Sequence, residues 1–257
     1  MANDVMFHEK EMKKVALIVE TRKHKALPFV LNNVMSVLPN DWRLQIFHGN
    51  NNLEYLNDLI SNDIILKNKD IFLNELEIDS ITADDSSLEI MLKSEFWDKV
   101  VSETVLYFEC DTILCSKSKY KVSDFEKFDY IGGWWGQPFS VLSLNETYDR
   151  VMNGGLSIRK KSWMIDIIEK NLEMYLKRGG NSCEDYFVSD SVVKKPLVKE
   201  VLSFSIDGGY MYPLFDEPPF GLHKPWGVKG KGFSGMYYEK IRQVVEEVDI
   251  LRSLHNV

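Results

Sequence analysis

The sequence lacks several features that would assign a function directly. Its three cysteines cannot all pair and fit no zinc-binding spacing, so free thiols in a reducing compartment are the simplest interpretation. No stretch has the length and apolarity of a membrane span, and the polar N-terminus lacks the apolar centre of a secretory signal. We therefore expect no transmembrane segment and a cytoplasmic location.

Basic residues are also scarce relative to acidic ones. The net charge of -8 argues against a nucleic-acid partner, because such a protein needs a basic face to displace counterions from phosphate. The turn after the first predicted strand, ETRKHKALP, contains no glycine. Its composition excludes a P-loop and a GxGxxG dinucleotide fingerprint, and it counts against a nucleotidyltransferase.

Segments with the apolar pattern of strands alternate with segments that have the spacing of helices. Residues 15–20 are predicted to form a buried strand, and residues 27–38 a helix. This alternation predicts an α/β fold with a Rossmann-like mixed sheet of mostly parallel strands, covered by helices on both faces. The further predicted elements are a strand in WRLQIFHG, a helix from Leu53, a helix capped by Ser86 or Ser87, helices over 162–178 and 185–193, an ordered functional loop over 198–226 and a final helix spanning 241–251.

With 257 residues, 44% of them hydrophobic, the chain is large enough for one substantial core. We expect a single domain over 1–257, with a polar extension over 1–13 and a C-terminal helix over 236–257. The sequence does not indicate an oligomeric state.

An acidic break interrupts one buried apolar run, LYFECDTILC. Alternate residues of a strand point the same way, so Glu109 and Asp111 are predicted to lie side by side at a strand end. A pair of carboxylates suits Mg²⁺ or Mn²⁺, which accompany phosphate-bearing substrates. The alternative is a helix cap or a solvated turn.

Three further motifs carry candidate site residues. In FGLHKPW, His223 could complete a metal site and Lys224 could neutralise a phosphate, although a surface His-Lys pair is the plainer interpretation. In CEDYF, Glu184 or Asp185 could act as a general base, or the two could simply favour the start of a helix. Trp134 and Trp135 could form a stacking wall for a sugar, or they could pack in the core. Gly154 and Gly155 could allow close approach of the backbone to a ligand, or they could form a plain turn. Arg22 could bind phosphate, or its charge could simply be solvated.

Taken in order, VETRKH, WRLQIFHGNNN, the DT after the acidic strand, FDYIGGWW, NGGLSIR, CEDYF and HKPW resemble one family over about residues 14–226. It is an uncharacterised glycosyltransferase-like family, catalogued as a domain of unknown function. Its architecture is that of the metal-dependent nucleotide-sugar glycosyltransferases of the GT-A type. The sequence departs from the usual DxD triplet, since Glu109 takes the first position. Glycogenin-like enzymes have a related KPW ending, but their His lies further upstream, so the assignment of His223 as a metal ligand stays open.

The resemblance implies a site for a nucleotide-diphosphate sugar donor, UDP-linked, and for a hydroxyl of a glycan or other acceptor. It assigns Mn²⁺ or Mg²⁺ to Asp111, His223 and Glu109, and an inverting base to Glu184 or Asp185. A retaining route needs no such base. The implied nucleotide site comprises Glu20, Thr21, Arg22, Asn50, Glu109 and Lys224, and the implied sugar or acceptor site comprises Trp134, Trp135, Asn153, Gly154, Gly155 and Trp226.

These observations predict a metal-dependent glycosyltransferase. Two alternatives stay open at this point. One is a sugar-phosphate nucleotidyltransferase on the same kind of sheet, and the other is a non-catalytic carbohydrate-binding module of the same fold.

Overall fold

The structure is a computed structural model that describes residues 14–78, 90–135, 143–181, 183–207, 217–226 and 234–256. For residues 234–237 it describes the backbone alone. The predicted N-terminal extension and the predicted helix cap at Ser86 or Ser87 lie outside the described residues.

Strands and helices alternate through the first part of the chain. The strands are β1 (Lys14–Val19), β2 (Trp42–His48), β3 (Ile71–Glu75), β4 (Thr104–Phe108), β5 (Thr112–Leu114), β6 (Tyr130–Trp134), β7 (Met152–Lys160), β8 (Ser205–Asp207) and β9 (Gly221–His223). The α-helices are α1 (Leu27–Val37), α2 (Leu53–Asn62), α3 (Ser94–Asp98), α4 (Lys161–Ile167), α5 (Glu173–Lys177), α6 (Glu184–Ser191), α7 (Val198–Phe204), α8 (Ser234–Val244) and α9 (Glu247–His255). Short 3-10 turns occupy Leu66–Asn68 and Val122–Asp124, and a π-turn, Ile168–Leu172, joins α4 to α5.

These nine strands form one sheet in the order β3-β2-β1-β4-β7-β6-β8-β9-β5. The β1, β2, β3 and β4 strands pair in parallel, whereas β7 runs antiparallel between β4 and β6. At the other end, β8 is parallel to β6 and β9, and β5 is antiparallel to β9. Consecutive strands β4 and β5 therefore lie in separate parts of the sheet. The turn between them crosses the site described below.

The core is built on both faces of the sheet. Val15, Ala16, Leu17 and Ile18 are consecutive residues of β1, and all four are fully buried. Because successive side chains of a strand point to opposite faces, both faces of β1 are covered. The continuous apolar run in the sequence results from this double covering.

Most predicted elements are confirmed, with shifts of one or two residues at their ends. Three predictions were wrong in detail. The final helix is two helices, α8 and α9, and the predicted loop over 198–226 contains α7, β8 and β9. The acidic run is two short strands joined by a turn, because the chain bends at Glu109 to Asp111 and does not continue as one strand.

Candidate active site

Glu109, Asp111 and His223 meet where the β4–β5 turn contacts β9. The backbone N–H of Glu109 donates to the Gly155 carbonyl at 3.0 Å, which places the turn against β7. The β5 strand then begins at Thr112, whose register partner on β9 is His223. This pairing brings residues more than a hundred positions apart in the sequence to one point at the edge of a cleft.

The side chains of this cluster have the composition and spacing of a cation site. His223 Nε2 lies 3.1 Å from Asp111 Oδ1 and 3.2 Å from Glu109 Oε2. One potential ligand atom from each residue lies within 4.8 Å of the others. Asp111 Oδ1 is buried and has no well-aligned hydrogen bond within the described part of the chain. Two carboxylates and one imidazole fit a divalent ion such as Mn²⁺, and a buried carboxylate oxygen without a well-aligned donor fits a metal ligand.

The cluster also sets the charge of its members. Burial alone would raise the pKa of Asp111, but the positive charges of the nearby His223 and Lys224 hold that pKa well below its usual range. Burial alone would lower the pKa of His223, but the Asp111, Asp207 and Glu109 carboxylates raise it well above its ordinary value. The carboxylates around the ring thus favour the protonated form of His223, and His223 favours the ionised form of Asp111.

Lys224 points its ammonium group into the same cluster. Its Nζ lies 3.7 Å from Asp111 Oδ2 and 3.9 Å from Glu109 Oε2, and the side chain is 43% exposed. Its backbone N–H donates to the Asp111 carbonyl at 3.0 Å, and its φ of 45° is in the left-handed region that non-glycine residues seldom adopt. Backbone strain of this kind concentrates at functional sites. The ammonium is thus held near a place where an anion could bind beside the carboxylates.

A buried ion pair lies behind the cleft, near the carboxylate–imidazole cluster. The sequence patterns did not predict it. Arg159 and Glu184 are both fully buried and form a salt bridge. Arg159 also donates to Ser157 Oγ at 2.8 Å and lies over the ring of Tyr107, 4.9 Å from its centroid. The sequence carried a weak signal, since Arg159 ends the NGGLSIR motif. A charged residue inside a buried strand requires a partner.

Asp185, the neighbour of Glu184, faces the glycine pair. Its Oδ1 accepts the Gly154 backbone N–H at 2.8 Å, and its Oδ2 lies 3.5 Å from the Asn153 amide. Burial raises the pKa of Asp185 well above its usual value, and the charge of Glu184 raises it further. Glu184 is paired with Arg159, and the carboxyl of these two neighbours whose pKa is raised is that of Asp185.

At the end of β1, Glu20 holds the side chain of Arg22. Arg22 donates two hydrogen bonds to the Glu20 carboxylate, from Nε to Oε1 at 2.8 Å and from Nη2 to Oε2 at 2.9 Å. The Cys110 thiol donates a third, to Oε2 at 3.0 Å. Burial alone would raise the pKa of Glu20, but the hydrogen bonds from Arg22 and Cys110 lower it. Glu20 is buried and Arg22 is half exposed, so the guanidinium is the more accessible part of this unit.

The C-terminal helix contributes a residue that no sequence pattern indicated. The His255 ring lies between His24 and Trp226, with centroid distances of 4.7 and 4.8 Å. Its Nε2 donates to the Cys110 carbonyl at 3.0 Å. The three rings join the turn after β1, the HKPW segment and the last helix at one wall of the cleft.

The cleft enclosed by these groups has a volume of about 310 Å³. A volume of this size falls at the lower end of the range of small-molecule sites. Of the predicted site residues, it is lined by Glu20, Thr21, Arg22, Glu109, Asp111, Asn153, Gly154, Gly155, Glu184, Asp185, His223 and Lys224. The residues Val19, His24, Met91, Tyr107, Cys110 and His255 also line it.

The structure does not bring the remaining candidates into this cleft. Trp134 is fully buried and packs against Tyr148 with a centroid distance of 5.1 Å, so its ring presents no open face to a sugar. Trp135 is partly exposed and contacts Tyr186 edge to face. Asn50 is exposed, and its backbone N–H bonds to Ile78. Trp226 packs against His255 and is not among the residues that line the cleft. The core packing of Trp134 was the alternative that the sequence left open.

Comparisons with known proteins give the family. Residues 71–223, more than half of the chain, match the sequence family described as "Protein of unknown function (DUF5672)". The chain belongs to this family. The match includes all three residues of the carboxylate–imidazole cluster. A search of curated proteins finds no match.

The solved structures similar to this one include glycosyltransferases. The glycosyltransferase GlyE of Streptococcus pneumoniae TIGR4 matches with a TM-score of 0.51 and 11% identity, over 95% of this chain and 64% of that chain. This chain therefore spans less than two thirds of GlyE. The galactosyltransferase LgtC, in complex with donor and acceptor sugar analogs, matches with a TM-score of 0.52 and 13% identity, over 92% and 99%. An active-site mutant of LgtC matches with a TM-score of 0.53 and 12% identity, over 89% of this chain and 95% of the mutant chain.

The fold of this member of the family is GT-A-like, as the sequence predicted. At these identities the similarity establishes the fold alone. The described residues include no helix with the length and apolarity needed to cross a membrane.

Proposed function

We propose that this protein is a metal-dependent glycosyltransferase that moves a sugar from a nucleotide-diphosphate donor, UDP-linked, to a hydroxyl of a glycan or other acceptor. The observation that carries the proposal is the convergence of Glu109, Asp111 and His223 beside Lys224 in a cleft of a GT-A-like fold. Function resides in such a site and cannot be taken from the fold alone.

In this proposal Asp111 and His223 hold Mn²⁺ or Mg²⁺, and Glu109 completes the set. When bound, the cation supplies positive charge next to the leaving diphosphate. Asp111 suits the role because it is ionised and its Oδ1 is buried without another well-aligned partner among the described residues. Lys224 adds a second positive charge on the same side of the cleft, where it can neutralise a phosphate as a point charge.

The nucleoside part of the donor is assigned to the turn after β1. Arg22 offers a guanidinium that Glu20 holds in place by two hydrogen bonds, and Thr21 lines the same wall. In this arrangement Glu20 orients Arg22, since both of its oxygens are already used. Asn50 and Glu109 keep their predicted nucleotide roles as part of the proposal.

The sugar or acceptor lies, in this proposal, beside Asn153, Gly154 and Gly155, which line the cleft next to Asp185. Trp135 and Trp226 remain candidates at its margin.

For an inverting reaction, we assign the base to Asp185 and not to Glu184. The bond from the sugar to the diphosphate breaks as the acceptor oxygen bonds to the sugar, and Asp185 accepts the proton of the acceptor hydroxyl. Glu184 is committed to Arg159 in a fully buried salt bridge and would leave an unpaired buried cation if it accepted a proton. Asp185 has the raised pKa that suits a general base near neutral pH.

A thermal-shift screen tests the proposal without knowledge of the acceptor. Ligands that bind the native state raise its melting temperature according to concentration and affinity. We expect nucleoside diphosphates and nucleotide sugars, with UDP compounds foremost, to raise the melting temperature only when Mn²⁺ or Mg²⁺ is present. No shift with any nucleotide, with or without metal, would contradict the proposal.

A further inference from the structure

Behind the cleft, Asp207 contacts His223 on the side that faces away from the carboxylate cluster. The parallel pairing of β8 with β9 makes Asp207 and His223 register partners. Asp207 Oδ1 lies 3.0 Å from His223 Nδ1, and both side chains are buried. Neither atom makes a well-aligned hydrogen bond, to the other or to any other residue that the structure describes. Their close approach is the ion pair that both atoms make among the described residues.

The two imidazole nitrogens have different neighbours. Nε2 faces Asp111 Oδ1 and Glu109 Oε2, at 3.1 and 3.2 Å, whereas Nδ1 faces Asp207 alone. The ring therefore separates Asp207 from any ion held by Nε2. Asp207 is also absent from the described lining of the cleft, so its contact with the site passes through His223.

We propose that Asp207 is a positioning residue, which holds a proton on His223 Nδ1 and aims Nε2 at the cation. The inference rests on the metal site of the proposed function. A carboxylate that accepts the second ring N–H of a metal-binding histidine fixes the ring orientation and makes the other nitrogen a better ligand. Asp207 occupies that place here, on a strand whose pairing fixes its distance from the ring.

Gly155 supports this assignment from the opposite strand. A Cβ at Gly155 would lie 2.4 Å from His223 Cε1 and 2.5 Å from Nε2, so the imidazole packs directly on the β7 backbone. The ring is held by packing at Gly155 and by Asp207 at Nδ1. It has little freedom to turn Nε2 away from Asp111.

The test compares Asp207→Asn, Asp207→Leu and the control Ser205→Ala in the full chain. Asparagine keeps an acceptor without the charge, leucine removes both, and Ser205 is a buried residue two positions earlier on the same strand. Mn²⁺ affinity is measured by electron paramagnetic resonance titration without nucleotide. We expect a loss of about 10-fold for asparagine and about 100-fold for leucine, the range seen when such outer partners are removed. The serine variant should bind as the wild type does.

A second readout does not depend on metal. Proton NMR of the metal-free protein should show a downfield His223 Nδ1–H resonance, assigned by its absence in His223→Gln and protected from solvent exchange. We expect this resonance to remain in Ser205→Ala and to lose protection in Asp207→Leu. Urea unfolding of each variant establishes that the folded protein is being compared.

Equal Mn²⁺ affinity in the wild type and both Asp207 variants would overturn the inference. Complete loss of binding to the same extent in both variants would also overturn it, because that result identifies a ligand and not a positioning group. If the wild type itself binds no Mn²⁺, the metal site of the proposed function fails, and the role of Asp207 fails with it.

Discussion

The imidazole of His223 packs on the backbone of Gly155 so closely that no side chain fits between them. A Cβ at this position would approach Nε2 to 2.5 Å, a distance that real Cβ atoms essentially never show. The glycine of NGGLSIR is therefore required by the ring beside it, and the ring is fixed by the glycine.

Replacing Gly155 by alanine should displace His223 and weaken the metal site. We expect Mn²⁺ affinity to fall and the free energy of unfolding to decrease, because the buried ring must move against close-packed neighbours. Isothermal titration and urea unfolding measure the two effects. Gly133→Ala is the matched control, since its nearest contact is 3.3 Å to Ser205 Oγ.

The double variant Gly155→Ala/His223→Ala separates packing from ligation. Removal of the ring relieves the clash, so the double variant should recover stability relative to Gly155→Ala while still failing to bind Mn²⁺. Strictly additive stability changes would contradict the contact, because residues in direct contact are expected to couple.

The buried pair of Arg159 and Glu184 should contribute to stability as a unit. We expect Arg159→Met to lower the free energy of unfolding by about 3–5 kcal/mol, because it leaves an unpaired buried carboxylate. Urea unfolding measures the loss, and Lys177→Met, which breaks the exposed pair with Glu173, should change little. The double variant Arg159→Met/Glu184→Met should be more stable than Arg159→Met alone. Equal or lower stability in the double variant would contradict the account.

Asp185 should give the protein a distinctive dependence on pH. Its folded-state pKa is raised, whereas in the unfolded chain it is about 4. As pH rises from about 4 toward the folded value, the unfolded state loses its proton first, so the contribution of Asp185 to stability decreases. Urea unfolding across this range should show the wild type losing stability relative to Asp185→Asn. A difference independent of pH would exclude the raised pKa.

Asp185 should also determine how activity depends on pH. As pH is lowered, kcat/KM should begin to fall at a pH well above the pKa of an ordinary aspartate. The base must be deprotonated to accept the acceptor proton, so the rate should decrease as pH falls through its pKa. A fall that begins only near pH 4 would contradict the assignment of Asp185 as base.

Glu20→Gln should weaken nucleotide binding although Glu20 itself is not proposed to touch the nucleotide. Loss of the charged pair frees Arg22, and we expect about a tenfold higher Kd for nucleoside diphosphate, which corresponds to about 1.4 kcal/mol. Fluorescence or calorimetric titration measures it. Glu54→Gln, an exposed change of the same charge on α2, is the control. Unchanged affinity in Glu20→Gln would show that Arg22 needs no partner.

Local patterns were sufficient to predict the first two strands and the helix between them, whereas they gave no clear strand at β3. The strand β1 and the helix α1 follow from a continuous apolar run and a three-and-four spacing, which depend on neighbours in the sequence. The break between α8 and α9 was missed because the same apolar spacing continues across it.

The site was predictable only where its residues lie in motifs. Asp111 and His223 were proposed together from the acidic break and the HKPW motif, and the family resemblance assigned the same residues. The structure places His223 Nε2 3.1 Å from Asp111 Oδ1. Asp207 and His255 carry no local signal. Their positions depend on the pairing of β8 with β9 and on the packing of the last helix, which are long-range contacts that spacing along the chain does not encode.

The most direct test of the central claim is release of nucleoside diphosphate from a panel of nucleotide sugars, with simple sugars as acceptors. We expect the wild type to release nucleoside diphosphate with Mn²⁺ or Mg²⁺ and to lose this activity in excess chelator. We also expect Asp111→Asn to lose it, with the unfolding free energy measured alongside to establish folding. Full turnover in excess chelator, or wild-type turnover by Asp111→Asn, would contradict the central claim.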